Sequence, residues 1–175
     1  MKKSSPLVYI YTLSAMLFWG LSFVWVKITY EYYHPLTVVF LRLALSSVLL
    51  WGIARFMAPG EKIKKGDKRY LFLLAFLEPF CYFLAESFGL RLVSAALGSI
   101  IIATIPVFTP LAAYFILREK VGWGTLAGLV ISFFGVGLIV LNQGFGIAVS
   151  GTGVLLMFLA VVSAVFYGLL LKKVS

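Results

Sequence analysis

One cysteine and one histidine stand in 175 residues, and six acids face fifteen basic residues. A lone thiol, Cys81, excludes an intrachain disulfide, and so few Cys and His residues exclude the usual metal-binding spacings. Charged residues make up only 12% of the chain, about half the share of an ordinary soluble domain, so a soluble fold is excluded as well. Catalytic patterns are missing: there is no HExxH, no P-loop and no Gly-x-Ser-x-Gly. An enzyme is therefore not expected, nor any cofactor or metal. The net charge of +9 does not point to nucleic acid, because the basic residues sit between apolar runs rather than among aromatics on a polar surface.

What is present is apolar, with 62% hydrophobic residues and a mean hydropathy of +1.06. That composition belongs to an integral membrane protein. Alternation suited to barrel strands is absent, so the expected class is all-α, with about six transmembrane helices: Leu7–Tyr30, Pro35–Ala58, Tyr70–Arg91, Ser94–Leu117, Trp123–Leu141 and Thr152–Leu171. Each run is long enough, at about 1.5 Å per residue, to cross roughly 30 Å of hydrocarbon. The first is too long for a signal-peptide core and reads as a retained helix. Pro35 suits a helix's first turn, and Ser94 and Thr152 are expected N-caps.

The connections alternate in charge. Lys2, Lys3, Arg55, Lys62, Lys64, Lys65, Lys68, Arg69, Arg118, Lys120, Lys172 and Lys173 fall on one side, whereas the other receives only Lys27 and Arg91. The positive-inside rule then places both termini in the cytoplasm of a cell whose inner membrane holds the protein. His34, on the outer side, receives no functional role.

Four residues between Tyr70 and Leu117 are expensive in lipid: Glu78, Glu86, Pro106 and Pro110. In a continuous third helix, Glu78, Tyr82 and Glu86 at i, i+4 and i+8 share one polar face. Glu86 lies level with Arg42 of the second span, and the two are expected to form a structural ion pair. Glu78 has no evident cation. It reads either as a proton carrier or counter-charge for a cationic substrate, or as a glutamic acid hydrogen-bonded to a neighbour. The fourth span carries a small-residue stripe with Ser99 and Pro106, and its prolines leave backbone acceptors free in mid-membrane, against a wet cavity or simply for packing. Trp19 and Ser22 in the first span, with Tyr167 and Ser163 in the sixth, are expected to wall the same cavity. Gly124, Gly128, Ser132 and Gly135 form a packing ridge in the fifth.

Leu17-Phe18-Trp19-Gly20-Leu21 is echoed by Val165-Phe166-Tyr167-Gly168-Leu169 in a helix of opposite direction, which suggests an inverted repeat or chance likeness between two apolar helices. Phe18-Trp19-Gly20, Pro35 followed by Arg42, Ser94-Ala95 through Ile105-Pro106-Val107-Phe108, Glu119 and the glycine-rich fifth span together resemble the drug/metabolite transporter superfamily, specifically the EamA-type transporters. That resemblance implies about ten helices in two inverted repeats, with export of small metabolites, amino acids or toxic compounds by exchange or proton coupling. On this pattern residues 1–142 form one repeat, and 143–175 a loop and the first helix of an incomplete second. The expected function is a secondary transporter for a small-molecule substrate in a lipid bilayer. The alternative is a half-length chain that assembles with another subunit, whether a second copy in a homodimer or a missing second half.

Overall fold

The computed structural model describes residues 6–57, 66–118, 122–124, 126–128, 130–131, 134–135 and 150–174. Helices α1 (Pro6–Tyr32) and α2 (Pro35–Met57) come first. The third span is α3 (Lys68–Ala75), a π-helical stretch Phe76–Cys81 and α4 (Tyr82–Leu92). The fourth is α5 (Ala95–Ile102) and α6 (Ile105–Leu117), and the last is α7 (Gly151–Val174). No strand occurs among the described residues. Among the described residues, five units are long and apolar enough to cross a membrane: Leu7–Tyr32, Pro35–Met57, Lys68–Leu92, Ala95–Leu117 and Gly151–Val174. The expected fifth span, Trp123–Leu141, lies partly outside the described residues, as does its ridge at Ser132. Positions 123–124, 126–128, 130–131 and 134–135 are helical. Lys2, Lys3, Lys62, Lys64, Lys65, Glu119 and Lys120 also lie outside the described residues.

Local chemistry sets the helix ends. Pro35 opens α2, and His34 caps it: its carbonyl accepts from Val38 N at 3.2 Å and its Nδ1 from Leu36 N at 3.3 Å. Ser94 Oγ accepts from Leu97 N at 3.1 Å and caps α5. At α7 the cap is Ser150, not Thr152: Ser150 Oγ accepts from Gly153 N at 3.2 Å. An N-cap oxygen reaches a backbone N–H two or three residues ahead, and Thr152 already lies inside the helix.

Two spans are broken in mid-course. The third is not a continuous helix, because Glu78 has extended backbone angles (φ −140°, ψ 119°). Pro79 accounts for this: its ring disfavours the α conformation at the preceding residue, and it has no N–H for the carbonyl of Ala75. The Glu78–Pro79 bond is cis. The fourth span, expected as one proline-bent helix, separates into two at Ala103–Thr104. Pro106 then falls in the first turn of α6, where its missing N–H does no harm, and only Pro110 remains inside the helix.

The core sits around the last helix. α7 packs against α4, α5 and α6. Met157 and Ala160 are wholly buried, and Val161 and Leu169 nearly so. Glycines let the backbones approach: a Cβ on Gly89 would lie 2.8 Å from Met157 Sδ, and one on Gly153 would lie 2.7 Å from Leu92 Cβ. α1 and α2, by contrast, leave most of their large apolar side chains exposed, as lipid-facing helices do.

Candidate functional site

The break in the fourth span faces α1 across a cavity of about 770 Å³. Trp19 and Phe23 of α1, Ser99 of α5, Ala103 at the break, and Pro106 and Pro110 of α6 line it. Its wall is almost wholly apolar, with a few polar points. Ser99 Oγ donates to Ala96 O at 2.8 Å and keeps its lone pairs for an incoming donor. Thr109 Oγ1 bonds its own helix at Ile105 O, 2.8 Å away. Because residues 106 and 110 are prolines, the carbonyls of Ile102 and Pro106 have no α-helical donor. An apolar cleft with a few placed hydrogen-bonding groups is the usual character of a small-molecule site.

Trp19, Ser99 and Pro106 thus come together in one cavity. Ser22 and Tyr167 do not line it. Ser22 Oγ donates to Trp19 O at 2.6 Å, on the helix that carries the tryptophan. Tyr167 is half-buried on α7, and Ser163 serves a different place: its Oγ donates to Leu77 O at 2.7 Å, inside the π-helical stretch. The last helix therefore adds a second donor to a carbonyl at the break in the third span, which also accepts from the Tyr82 N–H.

Glu78 sits at that break, half-buried, without a hydrogen-bonding partner among the described residues. It is close enough to Tyr82 and Glu86 to act on both electrostatically. Since Glu78 is not helical, the three residues do not form the regular i, i+4, i+8 face expected of an unbroken helix. Tyr82 and Glu86 retain it within α4, where the Tyr82 hydroxyl donates to Glu86 Oε1 at 3.2 Å. From α2, Arg42 Nη1 reaches to 3.8 Å from Glu86 Oε2, and its guanidinium lies 4.6 Å from the centre of the Phe83 ring. Arg42 and Glu86 are therefore neighbours, in an ion pair wider than a direct hydrogen bond.

Three further contributors stand outside the residues expected from the sequence. Pro79 was legible, because any residue before proline is pushed from the α region. Lys27 had half a signal, since a cation within a span needs partners. In the fold its Nζ donates to the carbonyls of Leu90, Arg91 and Val93 at 2.8, 2.9 and 2.8 Å, closing the end of α4. The buried bond from Tyr30 Oη to Ser87 Oγ, 2.7 Å, had none. No group of three or more His, Cys, Asp or Glu residues that could hold a metal occurs among the described residues.

Comparison with known proteins adds an independent line. The model of the EamA-like transporter family matches residues 6–141. An "uncharacterized transporter" of Archaeoglobus fulgidus is 28% identical over 119 residues, 68% of this chain and 42% of the relative. The "uncharacterized transporter YcxC" of Bacillus subtilis is 29% identical over 157 residues, 89% of this chain and 50% of the relative. From the same organism, the "uncharacterized transporter YdfC" is 30% identical over 152 residues, covering 85% and 48%. The chain spans about half the length of these curated relatives. No solved structure matches it.

Proposed function

The chain belongs to the EamA-like transporter family, and on that premise we propose that it carries small metabolites, amino acids or toxic compounds out across the cell's inner membrane, as a secondary transporter with both termini in the cytoplasm. The observation that supports this most directly is the cavity at the break of the fourth span, where Trp19, Ser99 and Pro106 converge. Interrupted membrane helices put unbonded backbone carbonyls beside a substrate, and such irregularity is tolerated only against protein or a wet cavity. An apolar wall with Ser99 and the carbonyls of Ile102 and Pro106 suits a substrate with an apolar body and a few hydrogen-bond donors.

Glu78 is the proton carrier or counter-charge in this reading. It stands at the other helix break and has no cation or hydrogen bond to hold it among the described residues. Tyr82 links it to the Glu86 region, Ser22 bonds the helix that carries Trp19, and Tyr167 is assigned to the same pathway. Residues 1–142 act as one repeat and 143–175 as the start of a second.

The competing reading is a half-length chain that works only with a second copy or a missing second half. It is favoured by one fact, the coverage of about half the relatives' length. Flux in proteoliposomes containing only this chain separates the two. Autonomous transport predicts counterflow of a labelled amino acid or hydrophobic cation above empty vesicles, with Glu78→Gln abolishing its pH dependence. Full activity and an unchanged pH profile in Glu78→Gln would remove the role given to that residue. No flux from the wild-type chain alone would favour the half-length reading.

A further inference from the structure

Glu86 and Arg42 differ in how the fold treats them. The Glu86 side chain is 6% exposed, whereas Arg42 keeps 33% of its side chain accessible. Their contact of 3.8 Å is well beyond the roughly 2.7–2.9 Å of a charge-assisted hydrogen bond. As a result Glu86 Oε2 is buried without a hydrogen-bond partner, while Oε1 takes the Tyr82 hydroxyl. Arg42 spends its other face on Phe83. A pair built only to hold two helices together would close into the planar bidentate fork that guanidinium and carboxylate favour, because an unbonded oxygen on a buried carboxylate is destabilising. This pair stays open, and its cation is the accessible member.

We propose that Arg42 docks the carboxylate of a small organic acid or amino acid, and that Glu86 takes up one proton as that carboxylate replaces it. This rests on the transporter reading, names its substrate class and assigns the coupled proton to Glu86 in place of Glu78. At rest the Arg42–Glu86 pair holds one cation and one anion. With substrate bound, the guanidinium donates to the incoming carboxylate, the Arg42–Glu86 contact opens, and one proton from water adds to Glu86 Oε2. The Tyr82 hydroxyl stays on Oε1. No substrate bond breaks, no electrons move, and the summed charge of Arg42, Glu86 and the bound carboxylate is zero before and after. Charge balance drives the coupling: an ionised Glu86 beside the bound carboxylate would set two anions, with the Glu78 carboxyl nearby, against the single guanidinium of Arg42. The titratable and charged groups facing Glu86 are Tyr82 on its own helix, Arg42 from α2, Glu78 from the break and Tyr30 from α1. Among the described residues, Arg42 is the cation acting on it.

The test is proton uptake by the purified full chain in detergent, read with a pH-indicator dye in weak buffer. The probes are acetate, benzoate and L-leucine, each paired with its amide. The expected result is saturable binding of at least one carboxylate with uptake of one proton per molecule bound, and none with the amide. Because one proton enters per anion, the apparent affinity should fall about tenfold per pH unit where Glu86 is ionised at rest. Glu86→Gln should bind the same acid with no proton uptake and a flat pH profile, and Arg42→Gln should lose binding at least a hundredfold. Carboxylate binding without proton uptake by the wild-type chain overturns the proposal, and that measurement needs no variant to fold. Failure of all three acids to bind overturns it too. Flux in proteoliposomes without acid-dependent proton uptake rejects the site and leaves the transport reading standing. Proton-coupled binding without flux supports the site and rejects only autonomous transport.

Discussion

Lys27 lies on a membrane helix, yet its charge is fully employed. Three carbonyls at the end of α4 receive its ammonium group, and those are acceptors that a helix C-terminus leaves without intrahelical donors. The positive charge also meets the negative end of the α4 dipole. Lys27→Met should therefore lower stability by about 2 kcal/mol, the scale of losing hydrogen bonds from a charged group. Lys27→Arg should recover part of the loss. Unfolding of the detergent-solubilised chain by heat or denaturant checks both, and an unchanged midpoint in Lys27→Met would refute the role. In the sequence Lys27 is one of two cations on the poorly basic side. Its partners are 63 to 66 positions away, so no local pattern ties it to them. Arg42 and Glu86 were easier to match, because counting residues along two antiparallel helices gives their depth. Counting does not give the 3.8 Å gap, which depends on how far apart α2 and α4 stand.

Among the elements, α7 decides the most. It lies against both broken spans, and its Ser163 bonds the irregular stretch of the third. Its approach to α4 depends on missing side chains. Gly89→Val would push a branched side chain into Met157, whose Sδ and backbone N lie 2.8 and 3.0 Å from the Cβ position. The expected loss is about 1–3 kcal/mol, typical of overpacking. Gly52→Ala on α2 meets no atom within 4 Å, so its stability should be unchanged or raised by up to about 1 kcal/mol through helix preference. Equal destabilisation of the two variants, measured by the same unfolding assay, would contradict the close α4–α7 packing. Gly89 and Gly52 look alike in sequence, each a glycine inside an apolar run. Only the neighbour across the interface distinguishes them.

For the whole molecule, the charge asymmetry of the loops predicts an orientation that labelling can check. In a Cys81→Ser background, Tyr33→Cys should react with a membrane-impermeant maleimide on intact cells. Asp67→Cys should react only after permeabilisation. The reverse pattern would invert the topology. Both positions are exposed at helix junctions, so access to the reagent is governed by the membrane rather than by packing. The exposed apolar faces of α1 and α2 are consistent with a chain surrounded by lipid or by further helices, and the chain spans about half the length of the transporters it was compared with.

The membrane class, the approximate ends of the five spans among the described residues and the resemblance to transporters were determined by the sequence alone. The reason is that hydrocarbon thickness and the need to satisfy backbone groups leave long apolar helices as nearly the only solution for such a composition. The Ser94 cap was equally readable, since a cap acts within three residues, whereas at α7 Ser150 takes the place expected of Thr152. Tertiary structure decided which polar residues meet. It placed Trp19, Ser99 and Pro106 around one cavity while directing Ser163 to the other break, and it left Glu86 with one oxygen unbonded beside an accessible Arg42. Those outcomes depend on the rotation and separation of packed helices. Many residues far apart in the chain set them jointly, and no short stretch of sequence contains them.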